Sequence, residues 1–82
     1  MGNHDTFVLQ GDNRDSTHSI GATNATNGLK TFVDPGDQVR NIEKLDTGLY
    51  SFEVSRDQGK SWTPHEAEEK EFDRVKHMLK PA

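Results

Sequence analysis

Short apolar runs separated by turn-forming residues dominate the first three quarters of the chain. Residues 6–9 and 30–34 are β-prone, and residues 17–23 form a weaker strand candidate with Ile20 directed inward. Clusters of Gly, Asn, Asp and Pro follow these runs and indicate turns. The apolar spacing over residues 38–45 fits a short helix as well as a strand, and we favour an irregularly paired strand.

The segment 45–54 carries the clearest strand pattern. Tyr50, Phe52 and Val54 alternate with polar residues, which indicates one buried face and one wet face. The run Leu-x-x-Gly-x-Tyr that begins at Leu45 is similar to the approach to the tyrosine-corner strand of fibronectin-type sandwich domains. The resemblance implies a β-hairpin here. A compact β-sandwich with a trailing helix is the alternative architecture for the whole chain.

The end of the chain has the pattern of an amphipathic helix, predicted over residues 64–80. Thr63 and Glu66 can form a capping box with Pro64 at the first helical position, and Pro81 would end the helix. Acidic residues concentrate in its first half and basic residues in its second, which suits the helix dipole. The apolar stripe is confined to the second half, so the acidic first turns are free to face solvent or a partner.

These elements predict one α+β domain, residues 1–82, with a small antiparallel sheet of about four strands in residues 6–63 and the C-terminal helix packed on it. Only 29% of the chain is hydrophobic, so the core is expected to be thin. A partner, or a second copy in a homodimer, is one way to cover further apolar surface. Cysteine is absent, which excludes disulfides and favours a reducing, cytoplasmic setting.

The charge balance restricts the class of partner. The formal net charge is −4 at pH 7, whereas nucleic-acid binding requires a basic surface. The N-terminus lacks the pattern of a signal peptide, and no apolar run approaches the length of a membrane span. We therefore expect a small soluble protein that binds neither membrane nor nucleic acid, with a basic protein as its natural complement.

Residues 55–62 resemble the Asp-box, S-x-D-x-G-x-x-W, of sialidase-type propellers. The four signature positions are occupied by Ser55, Asp57, Gly59 and Trp62. In that family the motif is a structural hairpin in which the Asp caps turn amides and the Gly supplies a positive φ. The resemblance implies a hairpin here, with a return strand over residues 61–63, and implies no activity.

The polar stretch over residues 10–30 is the other notable segment. Residues 11–15, Gly-Asp-Asn-Arg-Asp, resemble a box of bacterial type I signal peptidases, which work through a Ser-Lys pair on other segments. No such pair can be assigned in this chain, so we predict no catalytic activity. The histidines lack metal-ligand spacing and no glycine-rich loop opens a helix, so neither a metal nor a cofactor is predicted.

The observations together predict a non-catalytic protein-binding accessory, regulator or inhibitor, for which small acidic proteins of phages and mobile elements offer an analogy. The alternative is a ligand- or carbohydrate-binding β module that uses the Asn/Thr-rich loop and aromatic residues. Two surfaces are candidate binding sites, the polar loop and the acidic first turns of the helix. Their candidate residues are Asp12, Asn13, Arg14, Asp15, His18, Glu68, Glu69 and Glu71.

Overall fold

Seven strands, all paired antiparallel, form one sheet that curls into a half-barrel in the computed structural model, which describes residues 6–11 and 19–82. The strands are β1 (Thr6–Leu9), β2 (Ile20–Asn24), β3 (Lys30–Val33), β4 (Gln38–Lys44), β5 (Leu49–Ser55), β6 (Thr63–Glu68) and β7 (Leu79–Pro81). Their order across the sheet is β3-β2-β6-β5-β4-β1-β7, so β3 and β7 are its edges. Helix α1 (Glu69–Val75) and a 3₁₀ turn (Lys76–Met78) connect β6 to β7.

The predicted α+β fold with about four strands is wrong, because the protein is mostly β. The main error is the helix predicted over residues 64–80. Its first part is strand β6, which lies between β5 and β2 and pairs with both, and its end is strand β7. A strand with neighbours on both sides satisfies its backbone groups through long-range pairing, and this pairing outweighs the local capping signal around Pro64.

The alternation of side chains in β6 explains why it can occupy the middle of the sheet. His65 and Ala67 are buried on the inner face, whereas Glu66 and Glu68 lie on the outer face. On the neighbouring strand β5, Phe52 is the residue that pairs with His65. This period of two is the signature of a strand with one wet face.

Strand β4 confirms the prediction of an irregularly paired strand over residues 38–45. Its register with β5 shifts between Arg40 and Glu43, and Asn41 between them has a φ of 57°. Asn tolerates this left-handed conformation better than most residues, and the resulting bulge bends the strand. The bend contributes to the curl of the sheet.

The inner face of the half-barrel holds the core, and α1 covers part of it. Phe72 of α1 stacks on Tyr50 with ring centroids 4.4 Å apart and lies 5.4 Å from the ring centroid of Phe52. The buried apolar residues are Leu9, Ile20, Ala22, Val33, Val39, Phe52, Val54, Ala67, Phe72 and Val75. In the described ranges, no helix is long and apolar enough to span a membrane.

Candidate functional site

The candidate residues of the polar loop, Asp12, Asn13, Arg14, Asp15 and His18, lie outside the described residues. The described end of the predicted 10–30 stretch is not one long loop. Ile20–Asn24 is strand β2, and a turn connects it to β3. The side chains of Asn24 and Asn27 stabilise this turn, because the Oδ1 atom of each accepts a hydrogen bond from the backbone N–H two residues later.

The three candidate glutamates after residue 67 have different surroundings. Glu69 Oε2 accepts a hydrogen bond from Lys44 Nζ at 2.7 Å, and this bond raises the pKa of the Lys44 ammonium. Glu71 Oε1 accepts hydrogen bonds from Arg74 at 3.0 Å and from the Gly21 backbone at 3.2 Å. Those bonds, that from Arg74 first, lower the pKa of Glu71. The exposed Glu68 side chain forms no hydrogen bond or ion pair with another described residue.

The outer face of the sheet carries a groove of about 490 Å³ where β2 and β6 separate. These two strands pair only near the end of β2, at Thr23 with Glu66 and at the adjacent position. Further back along β2, the Gly21 backbone N–H donates to the carboxylate of Glu71 in place of a strand partner. The Glu71 side chain of α1 therefore accepts the backbone hydrogen bond of β2 beyond the last β2–β6 pair, and the space between the two strands forms the groove.

The groove combines an apolar centre with an acidic rim. Ala22 and Ala67 line the gap, Leu49 lies on the β5 side, and Phe32 lies on the β3 side with 61% of its surface exposed. The charged groups around the groove are Lys30, Glu66, Glu68 and Glu71.

Glu69 does not line this groove, because its carboxylate is turned to Lys44. The sequence thus identified Glu68 and Glu71 as surface carboxylates but could not associate them with Glu66 and Phe32. That association requires β2 to pair with both β3 and β6, and the pairs between β2 and β6 join residues more than 40 positions apart.

The hairpin between β5 and β6 confirms the structural reading of the Asp-box. Asp57 Oδ1 accepts hydrogen bonds from Ser55 Oγ at 2.7 Å and from the backbone of Ser61 at 2.9 Å, and its Oδ2 accepts from Ser61 Oγ at 2.7 Å. Gly59 has a φ of 91°, and the Trp62 indole N–H donates to its carbonyl at 3.1 Å. The return strand begins at Thr63, so the prediction of a strand over residues 61–63 was placed too early.

Acid is expected to remove the contribution of Asp57 to stability. Its hydrogen bonds, that from the Ser61 hydroxyl first, hold the pKa of Asp57 at about 2 against an ordinary 3.8. Because the folded pKa is below the unfolded one, the stabilisation is complete above the ordinary value and is lost as the pH falls through about 2.

Urea unfolding of the wild type and Asp57→Asn at a series of pH values measures this loss. The wild type should be the more stable at neutral pH, and the gap between the two midpoints should shrink toward pH 2. A gap that does not change with pH would contradict the role assigned to this carboxylate.

A second concavity, of about 250 Å³, lies on the inner face beside this hairpin. Val54 and His65 are its most buried members, and His65 is only 5% exposed. His65 Nδ1 lies 2.9 Å from the Thr63 carbonyl oxygen, which can only accept, so Nδ1 carries the proton. The other lining residues are Asn24, Thr31, Arg56, Asp57, Ser61 and Thr63.

Arg56 connects the hairpin to the far edge of the sheet. Its guanidinium donates to Asp37 Oδ2 at 3.2 Å, to Thr31 Oγ1 at 3.3 Å and to the Phe32 carbonyl. Since the β2 ladder engages the backbone of Thr31 and Val33, the Phe32 carbonyl belongs to the open edge of β3. Arg56 therefore covers part of that edge and borders the inner cavity.

The described part of the chain holds no group of three or more His, Asp or Glu side chains placed to hold a metal ion. The outer groove and the inner cavity are thus distinguished by their lining alone, one acidic and apolar, the other rich in hydroxyl groups. Comparisons with protein-family models, with curated proteins and with solved structures find no match to this chain.

Proposed function

We propose that this protein is a non-catalytic protein-binding module, an accessory or regulator, that holds a basic segment of a partner protein in the outer groove. The observation that carries the proposal is the acidic rim around an apolar centre, in which Glu66 and Glu68 form no ion pair with any described residue. The absence of cysteine, from which a cytoplasmic setting is predicted, is compatible with such a role.

Charge defines the chemistry of the partner. Arg74 neutralises Glu71, but the carboxylates of Glu66 and Glu68 remain available at the rim of the groove. An arginine or lysine that reaches them gains charge-assisted hydrogen bonds, and an acidic side chain is repelled. This favours a basic partner over a second copy, because two grooves brought face to face would oppose like charges.

The apolar centre matches the same kind of side chain. Arg and Lys carry long aliphatic stems that pack on apolar surface while their charged ends stay at the rim. The side chains of Leu49 and Phe32 provide apolar surface for such a stem at the two sides of the groove, and the exposed ring of Phe32 also offers a face for a cation–π contact. A basic segment with interspersed aliphatic residues therefore fits both parts of the groove.

The partner is expected to lie in the groove rather than to extend the sheet at β3. Strand addition requires unpaired backbone groups along the edge. Arg56 already occupies the Phe32 carbonyl on the open side of β3. The Arg56 side chain therefore interrupts the short row of backbone groups with which an added strand would pair at the β3 edge.

The test uses a defined probe, a peptide of about ten residues in which arginine alternates with leucine, and a twin with glutamate in place of arginine. We expect the basic peptide to bind, to shift the backbone NMR signals of Gly21, Phe32 and Glu66, and to weaken as salt rises, because exposed charges are screened. The acidic twin should not bind.

Two results would contradict the proposal. One is equal binding of the two peptides, which would show that charge does not select the partner. The other is a set of shifts confined to surfaces outside the groove. Light scattering of the free protein measures its molar mass, and a dimer whose second copy covers the groove would also contradict the proposal.

A further inference from the structure

The inner cavity is separate from the outer groove and is built from different chemistry. It lies between β3, β2, β6 and the hairpin that follows β5, on the face opposite Glu66 and Glu68. Its volume of about 250 Å³ is below the range of roughly 300–1,000 Å³ usual for drug-sized ligands. Any occupant is therefore small.

His65 is the strongest indication that the cavity accepts a ligand. The side chain is 95% buried, as its 5% exposure shows, and only its Nδ1 is used, as donor to the Thr63 carbonyl. Its Nε2 atom makes no hydrogen bond with any described residue, and since no buried side-chain nitrogen or oxygen of the described residues lacks a partner, this atom is accessible where His65 lines the cavity. In this tautomer Nε2 is an acceptor, so the one accessible polar atom of an otherwise buried ring is available to a ligand in the cavity.

The charged groups of the lining already have partners. Arg56 is paired with Asp37, and the carboxylate of Asp57 is occupied by the hydroxyl groups and amides of its own turn. Neither is left as a counter-charge for a ligand. A charged ligand would bring an uncompensated charge into a confined space, which is unfavourable.

The groups that remain are neutral donors and acceptors. They are the Thr63 hydroxyl, the side-chain amide N–H₂ group of Asn24, whose oxygen is used within its own turn, and Nε2 of His65, while the Thr31 hydroxyl already accepts from Arg56. A ligand hydroxyl both donates and accepts, so it can satisfy an acceptor such as Nε2 and a donor such as the Asn24 side-chain amide N–H₂ together. A small molecule with several hydroxyl groups matches this set.

We infer that the inner cavity is a binding site for a small neutral polyhydroxyl compound, of monosaccharide or cyclitol size. The ligand donates a hydroxyl hydrogen to His65 Nε2, exchanges hydrogen bonds with the Thr63 hydroxyl and accepts one from the side-chain amide N–H₂ of Asn24. Recognition is by hydrogen bonding alone, because the indole of Trp62 packs against Arg40, 4.1 Å from the ring centroid, and does not line the cavity.

Titration of the full chain, followed by backbone and side-chain NMR, tests the inference. Glucose and myo-inositol are the neutral probes, and inorganic phosphate and acetate are the anionic probes, each up to about 50 mM, where millimolar dissociation constants are measurable. We expect a neutral probe to shift the signals of Asn24, Thr63 and His65, with little effect on Phe32 and Glu68 at the groove.

Two variants locate the contacts. Thr63→Val keeps the shape of the side chain and removes its hydroxyl, and His65→Asn keeps a donor for the Thr63 carbonyl while removing Nε2. Each should weaken binding of the neutral probe about tenfold, the effect of losing one hydrogen bond from a buried group. Thr47→Val, in an exposed turn away from the cavity, is the matched control and should bind as the wild type does.

The inference is overturned if no neutral probe shifts the cavity signals. It is also overturned if phosphate or acetate binds there in preference, since that would assign an anion site, or if Thr63→Val and Thr47→Val bind equally well. A thermal melt of each variant separates lost binding from lost folding. None of these outcomes depends on the peptide site in the outer groove.

Discussion

Replacing Phe52 with alanine is expected to destabilise the protein by about 3–5 kcal/mol, the usual cost of removing a buried phenylalanine side chain. Phe52 is 1% exposed in the middle of β5, and its ring lies 5.4 Å from that of Phe72. It joins the sheet to the helix that covers it. A chain of 82 residues is expected to have a total stability of about 4–12 kcal/mol, so this one loss removes a large share.

Phe32→Ala provides the matched control, because it makes the same change at a side chain that is 61% exposed. It should alter the free energy of unfolding by less than about 0.5 kcal/mol. Urea unfolding followed by the fluorescence of Trp62, the single tryptophan, measures both variants. Equal losses from the two replacements would contradict the inner and outer faces assigned to the sheet.

The strands that could be predicted from the sequence are those whose pattern is local. Tyr50, Phe52 and Val54 carry large apolar side chains at a spacing of two, which identifies β5 without any knowledge of its neighbours. Strand β4 was ambiguous because a bulge at Asn41 interrupts the same spacing. The bulge places apolar residues at intervals that also fit a helix.

Strand β6 could not be recognised in this way because its inner face has little hydrophobic content. Its buried side chains are those of His65 and Ala67, and the residues that alternate with them are Pro64, Glu66 and Glu68. The local signals, a proline and a glutamate after a threonine, are those of a helix start. Only pairing with β2 and β5, which is distant in sequence, makes the segment a strand.

The outer groove was predicted only in part, because it too depends on contacts between residues that are distant in sequence. Glu68 and Glu71 were identified from charge alone, and both line the outer groove, whereas Glu69 is paired with Lys44 and does not. Phe32 and Glu66 were missed because Phe32 was assigned to a short strand without a face, and Glu66 was expected at a helix cap. The inner cavity depends on His65 being in a strand, so no local signal could have revealed it.

Reversing the charge of Glu68 is expected to weaken binding of the arginine–leucine peptide at least tenfold. The change removes an attraction and adds a repulsion at the rim of the groove, and like charges brought together there disfavour the complex. Glu68 is exposed and makes no ion pair within the described ranges, so Glu68→Lys should leave the unfolding midpoint close to that of the wild type.

Asp46→Lys makes the same change in net charge in an exposed turn that does not line the groove. Isothermal titration of both variants with the basic peptide separates a local effect from a general effect of net charge. Equal weakening by the two variants would show that the peptide responds to the overall charge of the protein and not to this groove.

Exchange of charge between protein and peptide tests the central claim most directly. The measurement is calorimetric titration of the Glu66→Lys/Glu68→Lys variant with the glutamate–leucine peptide that the wild type does not bind. If a charge-complementary groove holds the partner segment, the variant binds this acidic peptide and no longer binds the basic one. A variant that binds neither peptide, while its unfolding curve stays that of a folded protein, would contradict the account.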